Sequence, residues 1–200
     1  MITAITVALV KFLAAPRVRW VGCEPNNHQR IFFANHTSHL DAVVLWSAVP
    51  SDLRVRTRPV AARDYWMKNK LRMFFGKKVF NAVLIEREKV SAHNNPLETL
   101  LETLTAGDSL IIFPEGTRGD GEIIQSFKSG LHHLARKCPN VELIPVHIDN
   151  LNRILPKGEV LPVPLMSCIS FGEPMQLHEN ESKTDFLERA RQAVCNLRQI

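Results

Sequence analysis

A histidine and an aspartate, His36 and Asp41, stand five residues apart in a short polar stretch between two apolar runs. A run of strand length, 31–34, precedes this stretch, and a run of helix length, 42–46, follows it, so the pattern predicts strand, loop and helix in that order. A tight turn into the helix can bring the carboxylate back to one imidazole nitrogen. The carboxylate then fixes the tautomer and stabilises the imidazolium, and the other ring nitrogen is free to act as a general base.

On this stretch alone, two other interpretations stay open. His36 and Asp41 could cap the helix and do nothing more. His39 is a competing base, and together with His36 and Asp41 it is a conceivable metal cluster, although no further strong ligand group lies nearby in the sequence. The choice between them depends on residues further along the chain.

Two more polar loops follow predicted buried strands, one containing Arg87 and one containing Glu115 and Arg118. The carboxyl ends of strands in an open sheet can share one face, so these residues and His36 could line one crevice. A base with its orienting carboxylate, beside two guanidiniums, suits a hydroxyl substrate that carries phosphate. The simpler alternatives are that Glu115 caps a turn and that Arg87 is a surface charge.

Four short motifs now stand in a recognisable order. They are Asn35-His36 with Asp41, Leu84-Ile85 with Arg87, Phe113 to Arg118, and Ile144-Pro145-Val146. In order and in spacing they resemble the four sequence blocks of the glycerolipid acyltransferases, the lysophosphatidic acid acyltransferase family, over residues 17–175. The second block lacks a glycine that the family often carries there, which makes an atypical acceptor headgroup conceivable.

The resemblance implies a role for each matching residue. His36 would be the general base and Asp41 its partner, and Pro145 would shape the acyl-donor side. The residues implied to bind the glycerol phosphate acceptor are Arg87, Glu115, Gly116, Thr117 and Arg118, with Lys128 as a further phosphate ligand. The family needs no metal or other cofactor, and acyl-CoA or acyl carrier protein is the co-substrate.

The activity implied is transfer of a fatty acyl group to the free hydroxyl of a lysophospholipid. The favoured acceptor is 1-acyl-sn-glycerol 3-phosphate, which would give phosphatidate. Glycerol 3-phosphate or a different lysolipid is the alternative acceptor, and a non-catalytic membrane lipid-binding protein on the same fold is the alternative function. A serine hydrolase is disfavoured because the chain has no Gly-x-Ser-x-Gly motif.

Apolar runs of strand length alternate with helical patterns along the chain and predict a single α/β domain, residues 16–200, with a mostly parallel central sheet flanked by helices. Asn95, Pro96 and Gly107 carry N-cap, first-turn and C-terminal signals around one helix. The other predicted helices are 41–49, 127–137 and 182–198, and the predicted strands are 31–34, 60–62, 79–85, 109–113 and 141–148, with an irregular β segment at 160–171.

Residues 1–15 are almost all apolar, with Thr3, Thr6 and Lys11 on one side of a helix. Such a helix is about 22 Å long, short of the roughly 30 Å hydrocarbon core of a bilayer. The cations and Trp in residues 16–20 are typical of a flank at headgroup level. We therefore predict an interfacial membrane-anchor helix, with a helix buried in the core as the alternative. The predicted location is the cytoplasmic face of the membrane, peripheral or monotopic.

The net charge of +5 is concentrated in residues 51–90, which hold eleven Lys or Arg against four Asp or Glu. Within this part, residues 65–78 interleave large apolar and cationic side chains. No nucleic-acid stacking motif accompanies them, so the pattern favours a membrane surface over nucleic acid as the partner. A solvated helix face over core aromatics is the alternative for part of the segment.

The four cysteines lie far apart, without a Cys-x-x-Cys pair or zinc spacing. They are Cys23, Cys138, Cys168 and Cys195. This pattern predicts reduced, mostly buried thiols in a cytosolic compartment.

Overall fold

A computed structural model describes residues 2–86, 95–154, 163 and 165–199. Its centre is a seven-stranded sheet in the order β1-β7-β6-β2-β5-β3-β4. The strands are β1 (Arg17–Trp20), β2 (Arg30–Ala34), β3 (Thr57–Ala62), β4 (Val83–Ile85), β5 (Ser109–Ile112), β6 (Glu142–Asp149) and β7 (Cys168–Phe171). Neighbouring strands are parallel except for the antiparallel pair β6 and β7. The predicted α/β fold with a mostly parallel sheet is thereby confirmed.

Helices cover both faces of the sheet. They are α1 (Ile2–Ala14), α2 (Asp41–Ala48), α3 (Ser51–Arg54), α4 (Arg63–Trp66), α5 (Lys70–Phe74), α6 (Pro96–Thr105), α7 (Gly130–Lys137), α8 (Leu151–Ile154) and α9 (Lys183–Asn196), with a π-helical turn at Phe75–Val79 and a 3-10 turn at Leu197–Gln199. Within the described ranges, none of these helices combines the length and apolarity needed to cross a bilayer.

The central strand β2 is buried along its whole length, and its residues alternate between two apolar cores. Phe32 joins the core that α1 and α2 cover, whereas Ile31 and Phe33 join the core beneath α6, α7 and α9. A strand buried on both faces must be apolar throughout, which is why residues 31–34 form one continuous apolar run. The loop that follows β2 is therefore anchored to a rigid, fully buried strand.

The capping signals around α6 are confirmed. The Asn95 side chain accepts a hydrogen bond of 3.1 Å from Leu97 N–H, and Pro96 occupies the first turn. Gly107 follows the helix with φ of +84°, a conformation that a residue with a Cβ adopts at a cost.

Two predicted elements differ from the structure. The strand predicted at 79–85 is confined to Val83–Ile85, because Val79 ends the π-helical turn and Asn81 has φ of +48°. Phe80 is buried against Trp46 and not in the sheet. An apolar run alone does not separate a buried turn from a strand. The predicted helix 127–137 begins only at Gly130.

The segment predicted as a headgroup-level flank is largely an edge strand. Arg17–Trp20 forms β1 and pairs with β7, and Trp20 stacks on Phe171 with a centroid distance of 4.0 Å. Trp20 therefore packs on the domain and remains half-buried. All four cysteines are unpaired and half-buried, so they are less buried than predicted.

Candidate active site

The candidate site lies at the carboxyl ends of β2 and β5, where two polar loops meet. Asn35 fixes the end of β2 to β6, because its amide donates to the Ile148 carbonyl at 2.9 Å and accepts from the Ile148 N–H at 2.8 Å. This buried side chain replaces two backbone hydrogen bonds just where the strand ends. It holds the start of the next loop, which carries His36.

His36 and Asp41 form a hydrogen-bonded pair. Nδ1 of His36 lies 2.8 Å from Oδ2 of Asp41, which also accepts from the N–H groups of Thr37 at 2.6 Å and Ser38 at 2.8 Å. Asp41 is fully buried and opens α2, so the helix N-terminus favours its negative charge. With Nδ1 bound to a carboxylate, Nε2 is the nitrogen that remains as a base.

The imidazole of His36 is also held from one face. It stacks on Phe113 with ring centroids 4.4 Å apart and an interplanar angle of 25°. Phe113 directly follows β5. The ring is therefore fixed by contacts from two adjacent strand ends.

The buried side chain of Glu115 connects the loop that follows β2 with the loop that follows β5. Its Oε1 accepts from the His36 backbone N–H at 2.7 Å, and its Oε2 accepts from the Gln125 N–H at 2.9 Å. Burial raises the pKa of this carboxyl, and the hydrogen bonds from Gln125 and His36 act in the opposite direction. Because both oxygens are engaged by backbone donors, the geometry favours a positioning role over direct contact with the acceptor.

Gly116 and Lys128 are in close contact. Gly116 has φ of +71°, and a Cβ at this position would lie 2.6 Å from the Lys128 Nζ. The Lys128 backbone N–H donates to the Pro114 carbonyl at 2.8 Å, which ties the segment after the loop back to it. A side chain at 116 would therefore displace the ammonium group.

Tyr65 and Arg72 are near the site and were missed by sequence reasoning. Tyr65 stacks on His39 with ring centroids 4.7 Å apart. The Arg72 guanidinium lies over the Tyr65 ring, 4.3 Å from its centroid. The pKa of His39 is lowered, first by burial and then by the charges of Arg118 and Arg72, whereas Asp41 acts in the opposite direction. The interleaved pattern of residues 65–78 signalled a role for the segment but did not show that these two side chains face His39.

Three cations of this region lack a carboxylate partner. Within the described part of the chain, the side chains of Arg72, Arg118 and Lys128 make no hydrogen bond or ion pair. Of the three, Arg118 lines a cavity of about 500 Å³, together with Thr37, Gly119 and Asp120, among others. An unpaired guanidinium in an open cavity favours an anionic ligand.

The remaining predicted residues are placed as follows. Thr117 is exposed and lines the same cavity. Pro145 is buried within β6 in register with Phe33. It would therefore shape the acyl-donor side through the position of β6 and not by direct contact. Arg87 lies outside the described residues. Among the residues that are described, no group of His, Cys, Asp or Glu could hold a metal ion.

The chain is similar in sequence to known proteins. A family model described as Acyltransferase matches residues 17–149. The 1-acyl-sn-glycerol-3-phosphate acyltransferase of Limnanthes alba is 28% identical over 167 residues, which are 78% of this chain and 54% of that protein. The human 1-acyl-sn-glycerol-3-phosphate acyltransferase alpha is 25% identical over 153 residues, 75% of this chain and 52% of the relative. The chain thus spans about half the length of the curated relatives it matches.

The fold also occurs in a solved structure. The crystal structure of the 1-acyl-sn-glycerophosphate (LPA) acyltransferase PlsC from Thermotoga maritima superposes with a TM-score of 0.76. The match covers 99% of this chain and 77% of that chain, at 22% sequence identity. This likeness shows a shared architecture.

Proposed function

The chain belongs to the Acyltransferase family, and on that premise we propose that it transfers a fatty acyl group from acyl-CoA or acyl carrier protein to the free hydroxyl of a lysophospholipid. The favoured acceptor is 1-acyl-sn-glycerol 3-phosphate, the substrate class in the names of the relatives. The observation that carries the proposal is the His36–Asp41 pair beside cations that have no carboxylate partner. A lipid-binding protein has no need of an oriented base.

In the proposed reaction, His36 Nε2 removes the proton from the acceptor hydroxyl as that oxygen attacks the thioester carbonyl. The buried Asp41 carboxylate stabilises the imidazolium that forms and keeps Nδ1 protonated. Collapse of the tetrahedral intermediate expels the thiolate, which takes a proton from the imidazolium and leaves as the thiol. The His36 ring is already fixed by Asp41 and Phe113, so little reorganisation is required.

The acceptor phosphate would be held by the unpaired cations. Arg118 and Lys128 lie on or against the loop after β5, and Arg72 approaches from α5 across Tyr65. Guanidiniums bind phosphate oxygens in pairs and with charge assistance. The proposal also assigns acceptor contacts to Arg87, Gly116 and Thr117, and the engagement of Glu115 with backbone donors favours a positioning role for it.

The oxyanion of the tetrahedral intermediate needs fixed donors. The N–H groups of Thr37 and Ser38 are bound to Asp41, and the His36 N–H is bound to Glu115. The donors that directly follow His36 are therefore engaged. In the loop after β5 the Gly116 N–H is likewise engaged, by the Phe113 carbonyl at 3.0 Å, so the N–H groups of Thr117 and Arg118 are the better candidates.

We further propose that the domain rests on a membrane surface through α1. Ile5, Leu9 and Phe12 are 61%, 56% and 78% exposed, and with Ile2 they form a stripe opposite the buried residues of α1. Ser167 binds the Ala14 carbonyl, which places the exposed Met166 beside the end of the helix. An apolar stripe of this kind suits insertion at the headgroup boundary.

The test is to incubate the purified chain with acyl-CoA and 1-acyl-sn-glycerol 3-phosphate and to follow free thiol together with the lipid products. Acyl transfer gives thiol and diacyl product in equal amounts. Hydrolysis gives thiol and fatty acid, and a lipid-binding protein gives neither, so either outcome would overturn the proposal. A parallel series with glycerol 3-phosphate, other lysolipids and acyl carrier protein as donor identifies the substrates.

A further inference from the structure

Helix α5 exposes an apolar pair to solvent. Leu71 and Phe74 lie one turn apart on this helix, and they are 68% and 41% exposed. Met67, shortly before the helix, adds a third exposed apolar side chain. Neighbouring exposed apolar side chains with a polar rim are typical of a surface that contacts a protein or a membrane.

The segment that carries this pair is fixed to the domain. Trp66 and Phe75, on either side of α5, pack against the core that α1 and α2 cover. The backbone of Gly76 lies against the Trp66 ring, because a Cβ at this position would be 2.8 Å from a ring carbon. The exposure of Leu71 and Phe74 is therefore a property of the folded domain and not of a loose end.

Positive charges accompany the apolar pair. Residues 63–78 contain six Lys or Arg and a single carboxylate, that of Asp64. Lys77 and Lys78 belong to the π-helical turn that follows α5, and both are exposed and form no ion pair among the described residues. Apolar side chains flanked by unpaired cations suit a bilayer that carries anionic headgroups.

The apolar pair lies on the same side of the sheet as α1. Val7 and Ala14 of α1 belong to the core on that side, and Trp66 and Phe75 pack against the same core. Helices α6, α7 and α9 cover the core on the other side. One planar surface can therefore contact α1 and α5 together.

We propose that Leu71, Phe74, Lys77 and Lys78 form a second membrane-contact surface, the α5 surface, and that its partner is a bilayer containing anionic lipid. A second copy of the chain fits less well, because the cations of the two copies would repel each other. Nucleic acid fits less well because the exposed centre of the surface is apolar. The contact depends neither on the acyl transfer reaction nor on α1.

The α5 surface adjoins the candidate active site. Arg72, on the same helix, lies over the Tyr65 ring at 4.3 Å from its centroid, and Tyr65 stacks on His39. A bilayer against Leu71 and Phe74 is thus next to the side chains that surround the site. If the proposed function is right, the acceptor passes from the bilayer to the site without crossing bulk water.

The experiment is cosedimentation of the full chain with two kinds of vesicle, one of phosphatidylcholine alone and one of phosphatidylcholine and phosphatidylglycerol in equal amounts. Leu71→Glu should weaken binding to the mixed vesicles by about tenfold or more, since an inserted Leu side chain is lost. The double variant Lys77→Gln, Lys78→Gln should weaken binding to the mixed vesicles by about tenfold or more and leave binding to phosphatidylcholine unchanged.

Each variant has a matched control. Val55→Glu adds the same charge at a side chain that is 77% exposed, and Val55 precedes β3 whereas α5 follows it. The double variant Arg136→Gln, Lys137→Gln removes two exposed cations of α7, on the other side of the sheet. Both controls should bind mixed vesicles as the parent does.

Repeating Leu71→Glu in the Phe12→Glu background separates the α5 surface from α1, and a further loss of binding supports two contacts. The proposal is overturned if the parent does not bind mixed vesicles, or if Leu71→Glu binds them as the parent does. Self-association of the parent that Leu71→Glu abolishes, with vesicle binding unchanged, would assign the surface to a second copy and would also overturn it.

A rate measurement tests the passage of acceptor from the bilayer, and it alone rests on the proposed function. Leu71→Glu should lower acylation of vesicle-held 1-acyl-sn-glycerol 3-phosphate by about tenfold and leave the rate with a short-chain, water-soluble acceptor unchanged. Equal losses with both acceptors would mean that the change acts on the site and not on membrane contact. If the parent acylates neither acceptor, the proposed function fails and the vesicle-binding result still decides the α5 surface.

Discussion

The carboxylate of Glu115 accepts a hydrogen bond of 2.7 Å from the backbone N–H of His36. Its second oxygen holds the N–H of Gln125 at 2.9 Å, and in return the Gly119 N–H donates to the His36 carbonyl at 2.9 Å. The loops that follow β2 and β5 are thus connected in both directions around a 97% buried side chain. The position of the His36 imidazole depends on a residue 79 positions away along the chain.

Glu115→Ala should therefore lower kcat more than it raises KM, and should also lower the stability. It leaves two backbone donors without acceptors, and a buried unsatisfied group costs about 1–3 kcal/mol, so we expect a drop in Tm of about 5 °C for a chain of this length. Steady-state kinetics and thermal unfolding measure the two effects. Glu115→Gln keeps one acceptor oxygen and should lose less. A rise in KM alone, at unchanged Tm, would instead indicate direct contact with the acceptor.

His36→Ala should remove acyl transfer by a factor of about 10² to 10⁴, the usual contribution of a general base. The side chain is 15% exposed, and Asp41 keeps two backbone donors without it, so the circular dichroism spectrum should remain that of the parent, with a modest fall in Tm. His39→Ala is the matched control, since it removes the other imidazole of the loop. If His39→Ala abolished transfer and His36→Ala did not, the assigned base would be wrong.

The local part of the site was predictable from the sequence, and the long-range part was not. His36 follows a strand and Asp41 begins the next helix, only five residues later. That short spacing by itself indicates that the Asp41 carboxylate can contact the His36 imidazole. The Glu115 bridge and the position of Arg72 over Tyr65 depend on how separate segments pack, which no local spacing encodes. For the same reason, the apolar run 79–85 predicted too long a strand, because burial of Phe80 against Trp46 gives the same pattern.

The pKa of His39 should rise when Arg118 is replaced by Gln. Burial lowers this pKa most, and Arg118 is the largest of the positive charges that lower it further; removing a positive neighbour makes protonation easier. Arg72→Gln should raise it by a smaller amount. Titration of the His39 ring protons by NMR measures both shifts, with Arg136→Gln as a distant control. An unchanged pKa in Arg118→Gln would mean that the two side chains are not neighbours in solution.

Arg72→Gln should raise KM for 1-acyl-sn-glycerol 3-phosphate by about tenfold, since a hydrogen bond to a charged group contributes about 1.5–3 kcal/mol. The rate with an uncharged acceptor, monoacylglycerol, should change little. Lys70→Gln removes a cation from the same short helix, α5, at an exposed position, and should leave both acceptors unaffected. Equal losses with both acceptors would show that Arg72 acts through the packing of Tyr65 and not on the phosphate.

Phe12→Glu should weaken binding to lipid vesicles without unfolding the domain. Phe12 is 78% exposed, so the folded chain loses little by the change, whereas a Phe side chain inserted into a membrane contributes about 1.5–3 kcal/mol, equivalent to a tenfold or greater loss of partitioning. Val55 is 77% exposed and follows α3, so Val55→Glu controls for the added charge and should bind as the parent does. Cosedimentation with vesicles that contain anionic lipid measures all three proteins. If Phe12→Glu and the parent sedimented equally, α1 would not be the membrane contact.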